Sequence, residues 1–273
     1  MSEAAAPIGI FDSGVGGLSV VRCVRRQLPA HPVIYVADQA HVPYGPRSLE
    51  EVREFSEAIT RYLLAQGARL VMIACNAASA AALHHLRQKF PEVPFVGMEP
   101  AVKPAAEYTH TGRVGVLATP ATFQGALYAS VVERFAQGVT VLQDTCPGLV
   151  QQIEAGQLTA PQTRDILERA LLPMLAQEID TVVLGCTHYP FVIPLIQSIV
   201  GPAVRVIDPA PAVVRQAARL LQARGWLAAD GAAQAPVRYI TTAEVQPFNQ
   251  LLLQLLGEQA CAEGVRWPSF WYT

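Results

Sequence analysis

The chain has 273 residues, of which 51% are hydrophobic and 15% are charged, and its formal net charge at pH 7 is −2. This composition is typical of a folded protein with a sizeable core, and the length predicts one large domain or two small ones. The lack of a basic block argues against a nucleic-acid partner, and no apolar run is long enough to predict a membrane span. We find no secretory signal and expect a cytoplasmic protein, in which five cysteines do not indicate a disulfide framework.

The first third of the chain alternates short apolar runs with helical patterns. A capping-box match at Ser48 and Glu51 opens the longest of these helices, which we expect to end at Gly67. The predicted strands are Ile8–Asp12, Val33–Asp38, Leu70–Cys75 and Pro94–Met98, and the predicted helices are 18–28, 48–67 and 78–90.

The rest of the chain continues this alternation. Strands are predicted at 114–118, 139–143, 181–185, 204–208 and 239–242, and helices at 120–136, 161–177, 191–200, 211–223 and 246–257, with a short helix carrying Glu154. Strands that alternate with helices indicate an α/β fold with parallel sheets, in which ligands bind at the carboxyl ends of the strands.

Two of the predicted strands end in a thiol. Cys75 is followed by Asn76 and Ser79, and Cys186 is followed by Thr187 and His188. A cysteine that opens a helix, or lies beside a cation, forms the reactive thiolate more readily. If the segment after Cys186 is extended, His188 lies on the same side as Cys186, because side chains two residues apart in a strand point the same way.

Several interpretations of these thiols remain open from the residues alone. They could be core cysteines, a redox pair, or, for Cys186 with His188, a nucleophile and its base. A metal site is disfavoured because the chain has no CxxC motif and no second histidine close by. The occurrence of two strand-end thiols, each followed by a small polar residue, favours the interpretation that both are acid/base groups. We interpret Cys23 and Cys261 as structural or incidental and Cys146 as structural. His84 and His85 lie on a predicted helix and are interpreted as surface residues.

A glycine-rich turn follows the first strand at residues 13–17. It does not fit the dinucleotide-binding motif GxGxxG, because Ser19 occupies the position of the last glycine. Its backbone N–H groups at a helix N-terminus are instead expected to be open to an anion, beside Asp12 and Ser13.

Four longer motifs carry a family resemblance: FDSGVGGLSV at 11–20, VADQAHVPYG at 36–45, ACNAASAAAL at 74–83 and LGCTHYPF at 184–191. In these the chain resembles the glutamate racemases of the cofactor-independent aspartate/glutamate racemase superfamily. The resemblance implies two similar parallel-sheet α/β domains with the active site in the cleft between them. It places one domain at 1–97 plus 210–273 and the other at 98–209.

The resemblance also implies the chemistry. Cys75 and Cys186 would be the catalytic acid/bases that interconvert L- and D-glutamate for peptidoglycan synthesis and cell-wall biogenesis, Cys75 acting on the D-enantiomer and Cys186 on the L-enantiomer. Asp12, His188 and Glu154 would support them. Asp38 and Glu154 occupy positions at which the family carries acidic residues. The residues implied to line the substrate pocket are Asp12, Ser13, Tyr44, Gly45, Asn76, Ala77, Thr187 and His188.

The same resemblance implies a homodimer that needs no metal and no cofactor. The only two lysines, Lys89 and Lys103, do not follow predicted strands, so the chain offers no obvious lysine for a pyridoxal phosphate Schiff base. Other functions stay open as alternatives: a binding protein that has lost catalysis, or an enzyme acting on aspartate, hydantoins or arylmalonates. Retention of both thiols argues against the first and against a single-thiol decarboxylase.

One position departs from the family pattern. The family motif reads Cys-Asn-Thr, whereas residue 77 of this chain is alanine. The missing threonine hydroxyl would donate to a substrate carboxylate, and Ser79 is the candidate to replace it.

Overall fold

The computed structural model describes residues 6–228 and 233–267 and has the predicted parallel α/β architecture. Its strands are β1 (Ile8–Asp12), β2 (Val33–Ala37), β3 (Leu70–Ile73), β4 (Phe95–Gly97), β5 (Arg113–Ala118), β6 (Thr140–Asp144), β7 (Thr181–Gly185), β8 (Arg205–Ile207), β9 (Val237–Thr241) and β10 (Glu263–Gly264). Every pairing between these strands is parallel.

The helices lie between these strands. They are α1 (Leu18–Gln27), α2 (Leu49–Ala65), α3 (Asn76–Lys89), α4 (Val102–Tyr108), α5 (Pro120–Gln124), α6 (Ala126–Phe135), α7 (Leu149–Glu154), α8 (Pro161–Leu175), α9 (Ile193–Val200), α10 (Ala210–Ala223) and α11 (Val245–Leu256), with a 3-10 helix at Tyr189–Val192. No helix within 6–228 and 233–267 is both long and apolar enough to cross a membrane.

The chain divides into two compact units. The first unit ends at Met98 and resumes at Ala210, and the second is Glu99–Pro209. The sheet of the first unit has the strand order β10-β9-β2-β1-β3-β4, and that of the second has the order β6-β5-β7-β8. The central strands β1, β2, β3 and β7 are buried along their whole length, as their largely apolar sequences predict, and the burial extends to Asp12 at the end of β1.

Local sequence signals explain where several helices begin and end. The predicted capping box is confirmed: Ser48 Oγ accepts the Glu51 N–H at 3.2 Å, and the Glu51 carboxylate accepts the Ser48 N–H at 3.0 Å. The predicted helix over 120–136 is wrong as a single element, because Gly125 has extended backbone angles and divides it into α5 and α6.

Two elements were not predicted. Helix α4 packs Val102 and Ala105 into the core of the second unit, although Pro104 hid its helical pattern. A proline in the first turn of a helix is tolerated because the N–H it lacks would have no partner there. Strand β10 is only two residues long, too short to leave a periodic signal.

Candidate active site

The first half-site lies at the carboxyl edge of the first sheet, around Cys75. This residue is the N-cap of α3, and its Sγ accepts the Ala78 backbone N–H at 3.4 Å. Helix α3 thus begins at Asn76, two residues earlier than predicted. The sulfur therefore lies at the positive end of a helix, the environment that favours a thiolate.

A hydroxyl and a carboxylate stand behind this thiol. Cys75 Sγ is 3.9 Å from Ser13 Oγ, which donates to Asp12 Oδ1 at 3.0 Å. The same carboxylate oxygen accepts the Gly14 N–H at 3.1 Å, so this amide of the glycine turn is not open to an anion. Gly17 allows the arrangement, because a Cβ there would come within 2.8 Å of the Asp12 Cβ.

Asn76 and Ser79 behave differently from each other within the same helical turn. The Asn76 amide is buried, and neither its oxygen nor its nitrogen has a hydrogen-bond partner. Ser79 Oγ, by contrast, donates to the Ile73 carbonyl at 3.2 Å and accepts the Met98 N–H at 2.8 Å. The expectation that Ser79 replaces the hydroxyl missing at Ala77 is therefore wrong, since both bonds tie α3 to its own sheet.

Tyr44 is fully buried and held by Asp38. Its hydroxyl donates to Asp38 Oδ2 at 2.6 Å. Burial raises the pKa of Tyr44 well above its usual value, and the negative charges of Asp38, Cys75 and Asp12 raise it further, so the phenol stays protonated. Gly45 follows in a turn closed by the Arg47 N–H and the Tyr44 carbonyl.

Three further partners of Asp38 escaped sequence reasoning. His41 Nδ1 lies 3.0 Å from both carboxylate oxygens, while Thr242 Oγ1 and Trp267 Nε1 donate to Oδ1 at 2.8 and 2.6 Å. The last two come from more than 200 residues away, a separation at which no local pattern exists to be found.

The second half-site is a row of three hydrogen-bonded side chains that begins with Cys186. Cys186 Sγ is 3.7 Å from His188 Nδ1, and His188 Nε2 is 2.6 Å from Glu154 Oε1. The reason given above for the first contact is wrong, because His188 has helical backbone angles in a turn that leads into the 3-10 helix. Glu154 is the last residue of α7.

Electrostatics keep His188 charged. Burial alone would lower the pKa of this imidazole, but the bonds to Cys186 and Glu154 outweigh it and raise the pKa well above its usual value. A cation in contact with a thiol is the arrangement that stabilises a thiolate. Thr187, next to Cys186, is buried as well.

Besides Cys186, the unit Glu99–Pro209 contains the buried thiol of Cys146. Burial raises its pKa above the usual range, and the carboxylate of Asp144 raises it further, so it remains a neutral thiol. Among the residues in 6–228 and 233–267, no group of three or more His, Cys, Asp or Glu side chains could hold a metal ion.

Comparison with known proteins identifies the family of this chain. The family model of the Asp/Glu/Hydantoin racemases matches residues 8–217. The chain is 52% identical to the glutamate racemase of Ectopseudomonas mendocina (strain ymp) over 95% of this chain and 98% of that protein.

Solved structures give the same result. A glutamate racemase isoform of Bacillus anthracis superposes with a TM-score of 0.86 at 32% identity, covering 97% of this chain and 99% of that one. Escherichia coli glutamate racemase, solved with L-glutamate and the activator UDP-MurNAc-ala, has a TM-score of 0.82 at 33% identity and covers 96% and 97%.

The fold and the matched family define an isomerase of the racemase class. The chain belongs to the glutamate racemase family.

Proposed function

We propose that this protein interconverts L- and D-glutamate, with Cys75 and Cys186 as its two acid/base groups. The observation that carries the proposal is the presence of two buried, separately supported thiols, each at the carboxyl edge of its own sheet. The E. coli structure, which holds L-glutamate, supports the choice of substrate. The two units would be the two domains.

The proposed reaction moves one proton in and one proton out. One cysteine, as thiolate, takes the hydrogen from Cα and becomes a thiol, leaving the electron pair of the broken bond on the substrate. The other cysteine, as thiol, gives its proton to the opposite face of Cα and becomes a thiolate. Following the family assignment, Cys75 removes the proton from D-glutamate and Cys186 removes it from L-glutamate.

The supporting groups would differ in their work. Asp12, through Ser13, would orient the Cys75 thiol, and the pair of His188 and Glu154 would hold Cys186 as a thiolate. The unpartnered amide of Asn76 is suited to the amino and carboxylate groups of an amino acid, because buried polar atoms cost free energy until they are paired. We assign the rest of the pocket to Tyr44, Gly45, Ala77 and Thr187.

We further propose that no pyridoxal phosphate takes part. Both lysines are about half exposed and lie in ion pairs, Lys89 with Glu57 at 3.4 Å and Lys103 with Glu107 at 3.9 Å. Neither is at the carboxyl end of a sheet strand, the place where ligands of open α/β sheets bind. In the cell we expect a cytoplasmic homodimer that supplies D-glutamate for peptidoglycan.

The experiment is racemisation in D₂O, with glutamate, aspartate and a hydantoin as competing substrates. We expect inversion of glutamate with incorporation of deuterium at Cα, in enzyme freed of small molecules by gel filtration. Inversion without solvent exchange, or a requirement for added pyridoxal phosphate, would refute the two-thiol mechanism. Preferential turnover of aspartate or the hydantoin would move the enzyme to another member of the superfamily.

A second candidate is favoured by one observation. Cys186, His188 and Glu154 form the nucleophile, base and orienting acid of a cysteine hydrolase. Such an enzyme would form a covalent acyl or glycosyl intermediate on Cys186 and would not need Cys75. Trapping a thioester on Cys186, together with full activity of Cys75→Ser, would favour this alternative.

A further inference from the structure

The C-terminal end of the described chain returns to the first half-site. We use the name C-terminal strap for residues 262–267. Its backbone is fixed in two places: the Ala262 N–H donates to Asn249 Oδ1 at 2.8 Å, and the Val265 N–H donates to the Thr241 carbonyl at 2.9 Å. Glu263 adds a two-pronged ion pair with Arg238 at 2.9 and 3.0 Å.

These bonds place the strap as the edge of the first sheet. Strand β10 pairs in parallel with β9, which itself pairs with β2. Asp38 follows β2 directly, and Thr242 follows β9. A residue that follows β10 is thus carried to the same carboxyl edge, and Trp267 turns inward there to donate to Asp38 Oδ1 at 2.6 Å.

The rings around this bond form an aromatic cluster. The indole of Trp267 meets the His41 ring edge-on with centroids 4.7 Å apart, and lies 5.3 Å from the ring of Phe55. His41 stacks on Phe55 at 4.2 Å, and the ring of Tyr44 is 5.7 Å from Phe55. The strap therefore touches the segment 38–47 through both a hydrogen bond and packing.

Asp38 connects the strap to Tyr44. Its carboxylate is completely buried, and such a charge is stable only when donors surround it. Trp267 and Thr242 donate to Oδ1 and Tyr44 donates to Oδ2, while His41 Nδ1 lies 3.0 Å from both oxygens. The direction in which Oδ2 faces, and with it the position of the phenol of Tyr44, depends on the donors that hold Oδ1.

We propose that Trp267 is a positioning residue, and that the C-terminal strap sets the place of Tyr44 in the Cys75 half-site through Asp38. The idea rests on the proposed function in one respect, the role of Tyr44 in binding the substrate. Its consequence is that a residue near the C-terminus controls substrate affinity without touching the substrate.

The test variant is Trp267→Phe, which keeps an aromatic ring against His41 and Phe55 and removes the N–H donor. The matched control is Trp226→Phe, because Trp226 packs on the guanidinium groups of Arg69 and Arg224 instead. We expect Trp267→Phe to raise KM for glutamate about three- to tenfold, with kcat changed less than twofold. This is less than the full loss of a hydrogen bond to a charged group, because the bond acts on the substrate only through Asp38 and Tyr44. Trp226→Phe should match the wild type.

A double-mutant cycle separates positioning from general packing. In a Tyr44→Phe background the phenol no longer binds Asp38, so Trp267→Phe should add less than a further 1.5-fold to KM. Two groups that act through one contact are not additive, whereas independent structural effects are. An undiminished rise in the Tyr44→Phe background, or no rise in the wild-type background, would overturn the proposal.

A second measurement does not depend on turnover. The rate at which iodoacetamide alkylates Cys75, followed peptide by peptide, should change at least threefold in Trp267→Phe, because the Tyr44 phenol lies within electrostatic range of this thiol and a displaced phenol alters its surroundings. The exposed Cys261 gives the internal control and should react at an unchanged rate. If the wild type fails to racemise glutamate, the proposed function is refuted, while this measurement still decides the role of the strap; unchanged Cys75 alkylation would refute that role.

Discussion

The two half-sites surround chemically identical thiols with different groups. The sulfur of Cys75 accepts a backbone N–H at a helix N-terminus and donates to the Ser13 hydroxyl, which in turn donates to the carboxylate of Asp12. Cys186 is in contact with a charged imidazole that is itself paired with Glu154. Dipoles and hydroxyls change little with pH, whereas an imidazolium titrates. Equal chemistry at the two sulfur atoms therefore does not require equal surroundings. We expect the two thiols to respond differently to mutation and to pH.

The largest effect should come from removing either sulfur. Cys75→Ser and Cys186→Ser are both expected to abolish racemisation, because a serine hydroxyl is far too weak an acid to replace a thiol near neutral pH. The comparison is sharpened with a glutamate analogue that carries a β-leaving group, which needs proton removal from one face only. Each variant should eliminate the leaving group from one enantiomer, with opposite preferences. Near wild-type racemisation by folded Cys75→Ser would end the two-thiol model.

The next effect concerns the charged support of Cys186. His188→Asn should slow turnover by about 100-fold or more, the usual worth of a positioned acid/base group. The loss should be greater for L-glutamate, the substrate assigned to Cys186. Ser13→Ala is the matched change at the other thiol, and should cost about tenfold or less with the opposite preference, since it removes a neutral hydrogen bond. Equal losses in both directions for both variants would mean that the two supports serve only the fold.

The same pair of variants predicts the dependence on pH. Because the pKa of His188 in the folded state is raised above its unfolded value near 6.5, its charge stabilises the fold fully below that value. That contribution is lost as the pH rises through the higher folded-state pKa. Thermal unfolding should therefore show a gap between wild type and His188→Asn that narrows with rising pH. Ser13→Ala should keep a constant gap; a His188→Asn gap that stayed constant would contradict the charged imidazole.

A smaller effect is expected at Ala77. Restoring the family's hydroxyl with Ala77→Thr should lower KM about two- to fivefold. This is less than the full value of a hydrogen bond to a charged carboxylate, because the added hydroxyl joins the Ala77 N–H and the Asn76 side chain as a further donor. Ser79→Ala is the control, since its hydroxyl is committed to Ile73 and Met98, and it should lower thermal stability while leaving KM unchanged. A rise in KM for Ser79→Ala would restore the idea that this serine reaches the substrate.

The fold was largely predictable because its signals are local. An uncharged β-branched run, a capping box and a thiol at the end of a strand are each patterns contained in a few consecutive residues. The contact between His188 and Cys186 was expected for the wrong reason, since a turn brings the two side chains together where an extended segment had been assumed. The parts that were missed are joined through space: the bond from Trp267 to Asp38 spans 229 positions and depends on sheet order, which no local pattern specifies.

The unpartnered amide of Asn76 has a consequence for the evolution of heat resistance in this protein. Each of the two buried polar atoms without a partner costs the fold on the order of 1–3 kcal/mol, and an apolar side chain would remove that penalty. Asn76→Ala should thus melt at a higher temperature than the wild type and work less well, which paired melting and turnover measurements would reveal. Selection for survival at high temperature alone would drive position 76 toward a small hydrophobic residue, whereas the proposed role in substrate binding would select for the amide.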